Sequence, residues 1–413
     1  MAKPALSRVA GMIAATVTCA AAATEALAQD GSTVLNGQIQ LNDSVAEATL
    51  NVVDAGSVDA SASARGNEVL AGVVGTTGRL TSDQAMQGGA RATVSLTLEG
   101  DTGPLDARAD ATGNRLGGTA ERGAIDLDAR QTVGVPSVIA RARIENDTAR
   151  LLEGGTLTAT AQGNVAALQA TEGRVTGAID QTSTAASVDA GALALTQYIP
   201  APAVVSAQAL GNAVQSGGTG ASSAALDIRQ TSDGALVTAA VSANAGNAWD
   251  LAGRARAAAN QTILRNAGGS VVAATDQSNR SAVRASSLFT AYDFGRAEAS
   301  ATAAGNSAEV GNNDRYVEID NSQFNGGVVT ADATFVGAYG YDAQVGAEAV
   351  GNNVVAYACA TCEGTLVTAS TQTNTAAVTS TATASVGGQG RAVVVGANAV
   401  GNRATFYVTG PTN

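Results

Sequence analysis

The residue types that usually carry out enzyme chemistry are sparse in this sequence. None of its 413 residues is a histidine, so the commonest general base and a favoured metal ligand are missing. Neither a Walker loop nor a zinc-protease motif occurs. The densest acidic stretch holds Asp314, Glu318 and Asp320, flanked by Arg315 and Tyr316, and we interpret it as part of a solvated face. We therefore predict no catalytic residue, no cofactor and no metal site.

Two cysteines, Cys359 and Cys362, form a Cys-Ala-Thr-Cys motif. A thioredoxin-like redox site would need a βαβ setting, but the flanking residues are typical of a strand and a turn. In an exported protein such a pair favours a local disulfide, and we predict one here. A redox site, or a metal site shared with another chain, is the alternative.

Aromatic residues make up only 3% of the chain, and most lie in its second half. Exposed rings would bind sugars or anchor protein partners, whereas buried rings would fill the core where the chain bends or ends. We expect core packing. The rings concerned are Tyr198, Trp249, Phe289, Tyr292, Phe294, Tyr316, Phe335, Tyr339 and Tyr341.

The N-terminus has the organisation of a secretory signal peptide. Lys3 and Arg8 precede an apolar run and a small-x-small site that ends at Ala28, so residues 1–28 are expected to be cleaved off. An Ala-rich core helix, or a lipoprotein modified at Cys19, is the alternative. No later segment is long and apolar enough for a membrane span, which predicts an exported protein that does not cross a membrane.

Composition narrows the class of protein further. The net charge of −12 repels phosphate backbones and argues against nucleic-acid binding. Hydrophobic residues reach 45% although aromatics are scarce, so the apolar content is mostly Ala and Val. This apolar fraction is too high for a disordered chain, and such small side chains fill a thin core rather than a thick one.

An internal repeat of about 48 residues is the strongest pattern in the chain. Seven Gly-Asn pairs recur, and Ala259-Asn260 fills the one double-length gap, giving eight units in a repeat domain at 29–413. The asparagines of these steps are Asn67, Asn114, Asn164, Asn212, Asn260, Asn306, Asn352 and Asn402. A glutamine lies 28 to 32 residues before each step, at Gln38, Gln84, Gln131, Gln181, Gln230, Gln277, Gln323 and Gln372.

The segments between these landmarks alternate small apolar and polar residues, as in Ala60–Arg65 and Ile125–Arg130. A period of two is typical of half-buried strands. Several strands per repeat, stacked over eight repeats, predict an all-β fold of the β-solenoid (β-helix) type. A row of hairpins forming a sandwich or barrel is the alternative. The pattern leaves one or two coils per repeat open, and coils of about 24 residues would fit.

We interpret the Gly-Asn step as a corner of the coil, because Gly, and to a lesser extent Asn, accepts the positive φ of a sharp turn. Stacked asparagines would then hydrogen-bond from coil to coil as a ladder. The glutamines would form a second ladder at another corner. Any binding function would lie on the outward faces or the ends of the rod.

Two resemblances follow from these residues. The run from Gln162 to Gln169 is similar to the Gln…Asn-x-Ala…Gln signature of curlin repeats, although the period here is about twice theirs. Over its full length the chain resembles the holdfast anchor protein family HfaD of stalked alphaproteobacteria. That resemblance covers the signal peptide, the length, the low-aromatic composition, the Ala-x-Ala-x-x-Gly-Asn steps and the Gln-Thr steps at Gln131, Gln181 and Gln230.

The second resemblance implies a non-enzymatic, outer-membrane-associated surface protein that helps to hold a polysaccharide adhesin on the cell. Its implied partners are the polysaccharide, a curlin-like protein and a secretion-pore lipoprotein. We also expect that open solenoid ends would allow self-association. The alternatives are a polysaccharide-processing β-helix enzyme and a self-assembling fibre subunit.

Overall fold

The computed structural model describes residues 15–19, 25–27, 31–134, 136–359 and 364–408. These residues form 24 strands and no helix, and every strand pairing between them is parallel. The strands stack into two long sheets without closing into a barrel. The predicted all-β solenoid is confirmed.

The strands divide into a large sheet of sixteen and a small sheet of eight. The large sheet contains β1 (Ala15–Cys19), β2 (Glu25–Leu27), β4 (Ser44–Val52), β5 (Val58–Val74), β7 (Ala90–Leu98), β8 (Asp101–Thr102), β9 (Leu105–Glu121), β11 (Ser137–Ile144), β12 (Arg150–Leu151), β13 (Gly155–Thr171), β15 (Ser187–Thr219), β17 (Leu236–Asn266), β19 (Ala282–Asn312), β21 (Val329–Ala358), β23 (Val378–Val386) and β24 (Ala392–Val408). The small sheet contains β3 (Ser32–Gln40), β6 (Thr77–Met86), β10 (Ala124–Val133), β14 (Arg174–Ser183), β16 (Ser223–Ser232), β18 (Ser270–Asn279), β20 (Tyr316–Asn325) and β22 (Thr365–Asn374).

Each repeat makes one coil of the solenoid. Asn164 pairs with Asn212, and Asn212 with Asn260, so residues one whole repeat apart lie directly above one another. Two coils of about 24 residues per repeat would instead place residues half a repeat apart in register, and that option is wrong. With about 4.8 Å between neighbouring coils, eight coils give a stack roughly 38 Å long.

Two separate cores run along the stack. The large core is rich in Ala and Val, as on β9, where Ala107, Ala109 and Ala111 are buried. The small core lies between the small sheet and the later part of each long strand, and it contains larger side chains such as Leu116 and Ile125. The alanine alternation of the sequence is therefore the inward face of the large sheet.

The Gly-Asn step is not a corner of the coil. Gly113 lies inside β9, and none of the glycines of the seven Gly-Asn steps has a positive φ. In four of the coils a left-handed residue lies nine positions further along, in the turn that leads to the small sheet. There φ is 67° at Gly75, 49° at Arg122 and Glu172, and 69° at Gly220. The interpretation of the steps as positive-φ corners was wrong.

At most of the steps backbone and side chains approach the glycine closely, although Ala259 occupies the same position in the fifth step. A Cβ atom on Gly113 would lie 2.5 Å from the carbonyl oxygen of Gly163 and 2.6 Å from a methyl carbon of Val133. Up to Ala111 every second side chain of this strand faces inward. The alternation then shifts by one residue, so that Asn114, three positions after Ala111, also faces inward. The step thus carries the strand from the large core to the small core without changing the register between coils.

The asparagines of the steps form a continuous column inside the stack, which we call the Asn column. Each Nδ2 donates a 2.8 Å hydrogen bond to the Oδ1 of the asparagine in the next coil, from Asn67 through to Asn402. The same amide also donates to a carbonyl of the small sheet, as from Asn212 to Thr231 at 2.9 Å. Every member except the terminal Asn402 is buried.

The glutamines form a second column, the Gln column, which lies within the strands of the small sheet and not at a corner. Gln131 Nε2 donates to Gln84 Oε1 at 2.8 Å and to the carbonyl of Val165 at 3.0 Å. The remaining links follow the same pattern along the stack. The Gln amides donate toward the N-terminal coil and the Asn amides toward the C-terminal coil, so the two columns run in opposite directions.

Replacing one member of the Asn column should destabilise the fold. Asn212→Ala leaves the Asn164 amide without its acceptor and the Asn260 oxygen without its donor, in a fully buried position. We expect a loss of about 3 kcal/mol in the free energy of unfolding, measured by urea denaturation.

The matched control is Asn244→Ala, since Asn244 is exposed and accepts a single surface hydrogen bond from Thr290. That variant should change the free energy of unfolding by less than about 0.5 kcal/mol. Equal losses in the two variants would show that the Asn column does not stabilise the stack.

Candidate functional site: an aromatic groove

Most of the exposed aromatic residues gather in four successive coils, within the long strands β15, β17, β19 and β21. Trp249, Tyr339 and Tyr341 are 53–61% exposed, and Tyr198 is 36% exposed. Together with buried Phe294 they line a groove of about 450 Å³, which we call the aromatic groove. Tyr292, which is also exposed, packs on Tyr339 at its edge. The groove and its edge thus hold five of the eight Tyr and Trp residues in the chain.

The expectation of core packing therefore holds for only part of the aromatic set. Phe289, Phe294 and Phe335 are buried in the large core, and the rings of Phe294 and Phe335 meet edge to face at 4.8 Å. For Trp249 and for the groove tyrosines the expectation was wrong. A tyrosine or tryptophan carries a polar group that can stay in water, whereas a phenylalanine has none.

Glycines in neighbouring coils make room for the rings. A Cβ atom on Gly295 would lie 2.9 Å from the indole of Trp249. Gly340 pairs with Phe294 in the next coil, and a Cβ there would lie 2.4 Å from its ring. A larger residue at either position would displace a ring of the groove. These two glycines therefore allow the rings to occupy their positions.

The rings also hold one another. Trp249 meets Tyr341 at 6.3 Å between ring centroids and Tyr292 meets Tyr339 at 5.6 Å, both edge to face, which is a favourable arrangement for aromatic pairs. The guanidinium of Arg391 lies 5.7 Å from the ring centre of Tyr341, within the range of a cation–π contact. The exposed rings therefore have fixed positions.

Polar side chains complete the lining. Asn247, Asp293 and Gln389 lie among the rings, and together they offer both hydrogen-bond donors and acceptors. Asn247 belongs to the Gly-Asn pair at 246–247, which is out of phase with the repeat and takes no part in the Asn column. This combination of flat apolar rings and neutral amides is suited to binding a ligand that carries both apolar faces and hydroxyl groups.

The groove is poorly equipped for catalysis. Its lining has one carboxylate, Asp293, whereas hydrolysis of a glycosidic bond usually needs a pair. In the acidic stretch, the Tyr316 hydroxyl donates to Glu318 at 2.7 Å, and this hydrogen bond raises the pKa of Tyr316. Among the described residues no group of three or more His, Cys, Asp or Glu side chains could hold a metal ion.

The structure describes only one of the two cysteines of the predicted disulfide. Cys359 is disulfide-bonded, but Cys362 lies outside the described residues, so their pairing stays a prediction. Of the predicted signal peptide at 1–28, the structure describes residues 15–19 and 25–27, which form β1 and β2 and pair with β5. Ala28 and the other residues lie outside the described residues, so cleavage after Ala28 stays a prediction. Within the described ranges, no helix is long and apolar enough to span a lipid bilayer.

Sequence reasoning missed Asn247, Asp293, Gln389 and Arg391 as members of a site. The signal that could have revealed the groove is the phase of the aromatic residues within the repeat. Trp249 lies ten residues before Ala259, and Tyr341 lies ten residues before Gly351, at the same phase of the repeat. Residues of equal phase fall on the same face of a solenoid.

The ion pair beside the groove gives a titration that tests its geometry. Arg391 Nε donates to Asp342 at 3.0 Å, and this contact lowers the pKa of Asp342 below its ordinary value. Because the folded-state pKa is lowered, the pair is intact at neutral pH and is lost as the pH falls through that lowered pKa.

We expect the carboxyl carbon of Asp342, followed by NMR, to titrate below pH 3.8 in the wild-type protein. In Arg391→Ala its pKa should rise toward the ordinary value. The matched control is Arg284→Ala, which removes a 3.6 Å ion pair with Asp332 and should leave the Asp342 titration unchanged. An unchanged Asp342 titration in the variant would show that Arg391 is not beside it.

Comparison with known proteins gives one finding. The model of the holdfast attachment protein D family, HfaD, matches residues 52–328, about two thirds of the chain. No curated protein and no solved structure is detectably similar to it. The match covers the first six Gly-Asn or Ala-Asn steps and the groove residues Tyr198, Trp249 and Asp293. The chain therefore belongs to the holdfast attachment protein D family and has a role in holdfast attachment at the cell surface.

Proposed function

We propose that this protein anchors an adhesive holdfast polysaccharide to the cell envelope as a non-enzymatic structural rod. The observation that carries the proposal is the family match, which covers most of the stacked coils. A role in attachment needs a stiff scaffold with an accessible outer surface. The two amide columns align the coils into such a scaffold, and the aromatic groove lies on its outer surface.

The outer surface supports a scaffold role through its charges. Ion pairs connect neighbouring coils, as between Arg265 and Glu309 at 2.8 Å and between Arg115 and Glu68 at 3.2 Å. Arg115 and Arg265 both border a groove of about 670 Å³ on the outer surface, where each is paired with a carboxylate of a neighbouring coil. Exposed pairs of this kind contribute little stability individually, and they keep a parallel β surface in water.

The attachment to the envelope is proposed to use partner proteins. Export by the signal peptide would bring the chain to the outer membrane, where a curlin-like protein and a secretion-pore lipoprotein would hold it. The last coil, with β22, β23 and β24, has a described neighbour on one side only, and an open strand edge can pair with another chain. This end is our candidate for partner binding or for self-association.

A polysaccharide-processing β-helix enzyme is the second candidate function. It would need acidic and basic side chains from adjacent coils around a cleft. The lining of the aromatic groove has one carboxylate. In the acidic stretch, the carboxylate of Glu318 accepts a hydrogen bond from the Tyr316 hydroxyl. These features favour binding over turnover.

Deleting the gene should leave the adhesive polysaccharide synthesised but poorly held by the cell. We expect the polysaccharide to move from the cell-bound fraction to the medium, measured by quantitative sugar analysis of both fractions with the total unchanged. Complementation with the wild-type gene is the control and should restore the cell-bound fraction.

Normal retention in the deletion strain would contradict anchoring, and a fall in total polysaccharide would point to a role in its synthesis. Release of new reducing ends when the purified protein is incubated with the shed polysaccharide would favour the enzyme.

A further inference from the structure

We infer that the aromatic groove binds a neutral pyranose glycan by stacking sugar rings on Trp249 and Tyr341. This inference rests on the proposed function, because the glycan would be the polysaccharide that the protein anchors. It assigns to one surface of the rod the contact through which the polysaccharide is held.

The placement of the rings suits a linear polymer. Tyr198, Trp249 and Tyr341 come from three different coils, and coils are about 4.8 Å apart. Tyr198 and Trp249 belong to successive coils, and Tyr341 lies two coils beyond Trp249 with 6.3 Å between their ring centroids, so the rings are spread along the stack axis. A chain of pyranose rings lying along the rod would meet successive aromatic side chains.

The polar lining suits sugar hydroxyls. Asn247 and Gln389 each present an amide that both donates and accepts, and Asp293 presents acceptor oxygens. Asp293 has no ion-pair partner within 4.0 Å among the described residues. Because this carboxylate and the net charge of −12 repel anions, the ligand should be a neutral glycan and not an acidic one.

The surface that the groove presents to a ligand is mainly aromatic. Its larger apolar side chains other than the exposed rings, Ile199 and Phe294, are 2% and 3% exposed, so they form a floor that a ligand barely touches. What a ligand meets is aromatic faces bordered by amides. Tyr and Trp are also enriched in protein interfaces, so a protein partner is the alternative outcome of the binding test.

Binding would need little rearrangement. Trp249 is fixed by Gly295 beneath it and by the ring of Tyr341, and Tyr341 is fixed in turn by Arg391. Side chains that already hold their bound positions lose little conformational entropy on binding. A weakly interacting glycan can therefore be held by a few such contacts repeated along the polymer.

Trp249 is the only tryptophan of the chain, so its fluorescence reports directly on the groove. The purified protein would be titrated with cellohexaose and chitohexaose as neutral probes and with oligomannuronate as an acidic probe. We expect at least one neutral probe to shift Trp249 emission and to protect it from acrylamide quenching, and the acidic probe to do neither.

Tyr341→Ala should weaken binding of that neutral probe at least about tenfold, measured by calorimetry as well as fluorescence. The matched control is Tyr407→Ala. Tyr407 is 49% exposed and stacks on Tyr357 at 5.5 Å, but it lies outside the groove. This control should bind like the wild type, and because each variant loses one aromatic contact, their unfolding midpoints should fall by similar small amounts.

Failure of every neutral probe to bind, or equal binding by Tyr341→Ala and the wild type, would overturn the inference. The same variants in cells separate it from the proposed function. If the deletion strain sheds polysaccharide but cells with Tyr341→Ala retain it normally, the groove is not the contact although anchoring stands. If the groove variant sheds polysaccharide while no glycan binds the purified protein, the groove holds a protein partner instead.

Discussion

Two buried columns of amide side chains set the register of this protein, and the other features depend on that register. The large core is built mostly of alanine and valine, which are too small and too alike to distinguish one strand alignment from another. A buried Asn or Gln is different, because leaving its amide without a partner costs about 1–3 kcal/mol. Each of the Asn and Gln columns is satisfied only when every coil lies directly above the preceding one.

The alignment that the columns impose also creates the outer surface. Trp249 and Tyr341 come from coils two repeats apart, and they meet over Gly295 of the coil between them only because all three coils are in register. The ion pairs between neighbouring coils depend on the same alignment. The hydrogen bonds of the two columns thus position the residues of the aromatic groove without contacting them. The interior can therefore stay the same in every coil while the outer surface varies from coil to coil.

The sequence alone predicts the solenoid, the eight units and the residues of both columns, because an amide at the same phase of every repeat can bond to its copy in the next coil. It could not show that the Gly-Asn step lies inside a strand. Glycine serves both a positive φ and a close approach, and only the positions of Gly163 and Val133 around Gly113 separate the two. The sequence also did not determine the number of coils per repeat, because period-two alternation does not mark where the chain turns. A tyrosine such as Tyr341 can be either buried or exposed, so the sequence alone does not predict that these side chains form a groove.

The most direct test of this stacking is a cysteine cross-link between neighbouring coils. Thr158 pairs with Ser206 one repeat later, and their hydroxyl oxygens are 3.1 Å apart, which places their backbones within reach of a disulfide. One coil per repeat predicts efficient cross-linking of Thr158→Cys with Ser206→Cys on mild oxidation. It predicts none between Thr158→Cys and Thr182→Cys, which lie half a repeat apart and in different sheets. Cross-linking of the second pair without the first would contradict the register on which the whole structure rests.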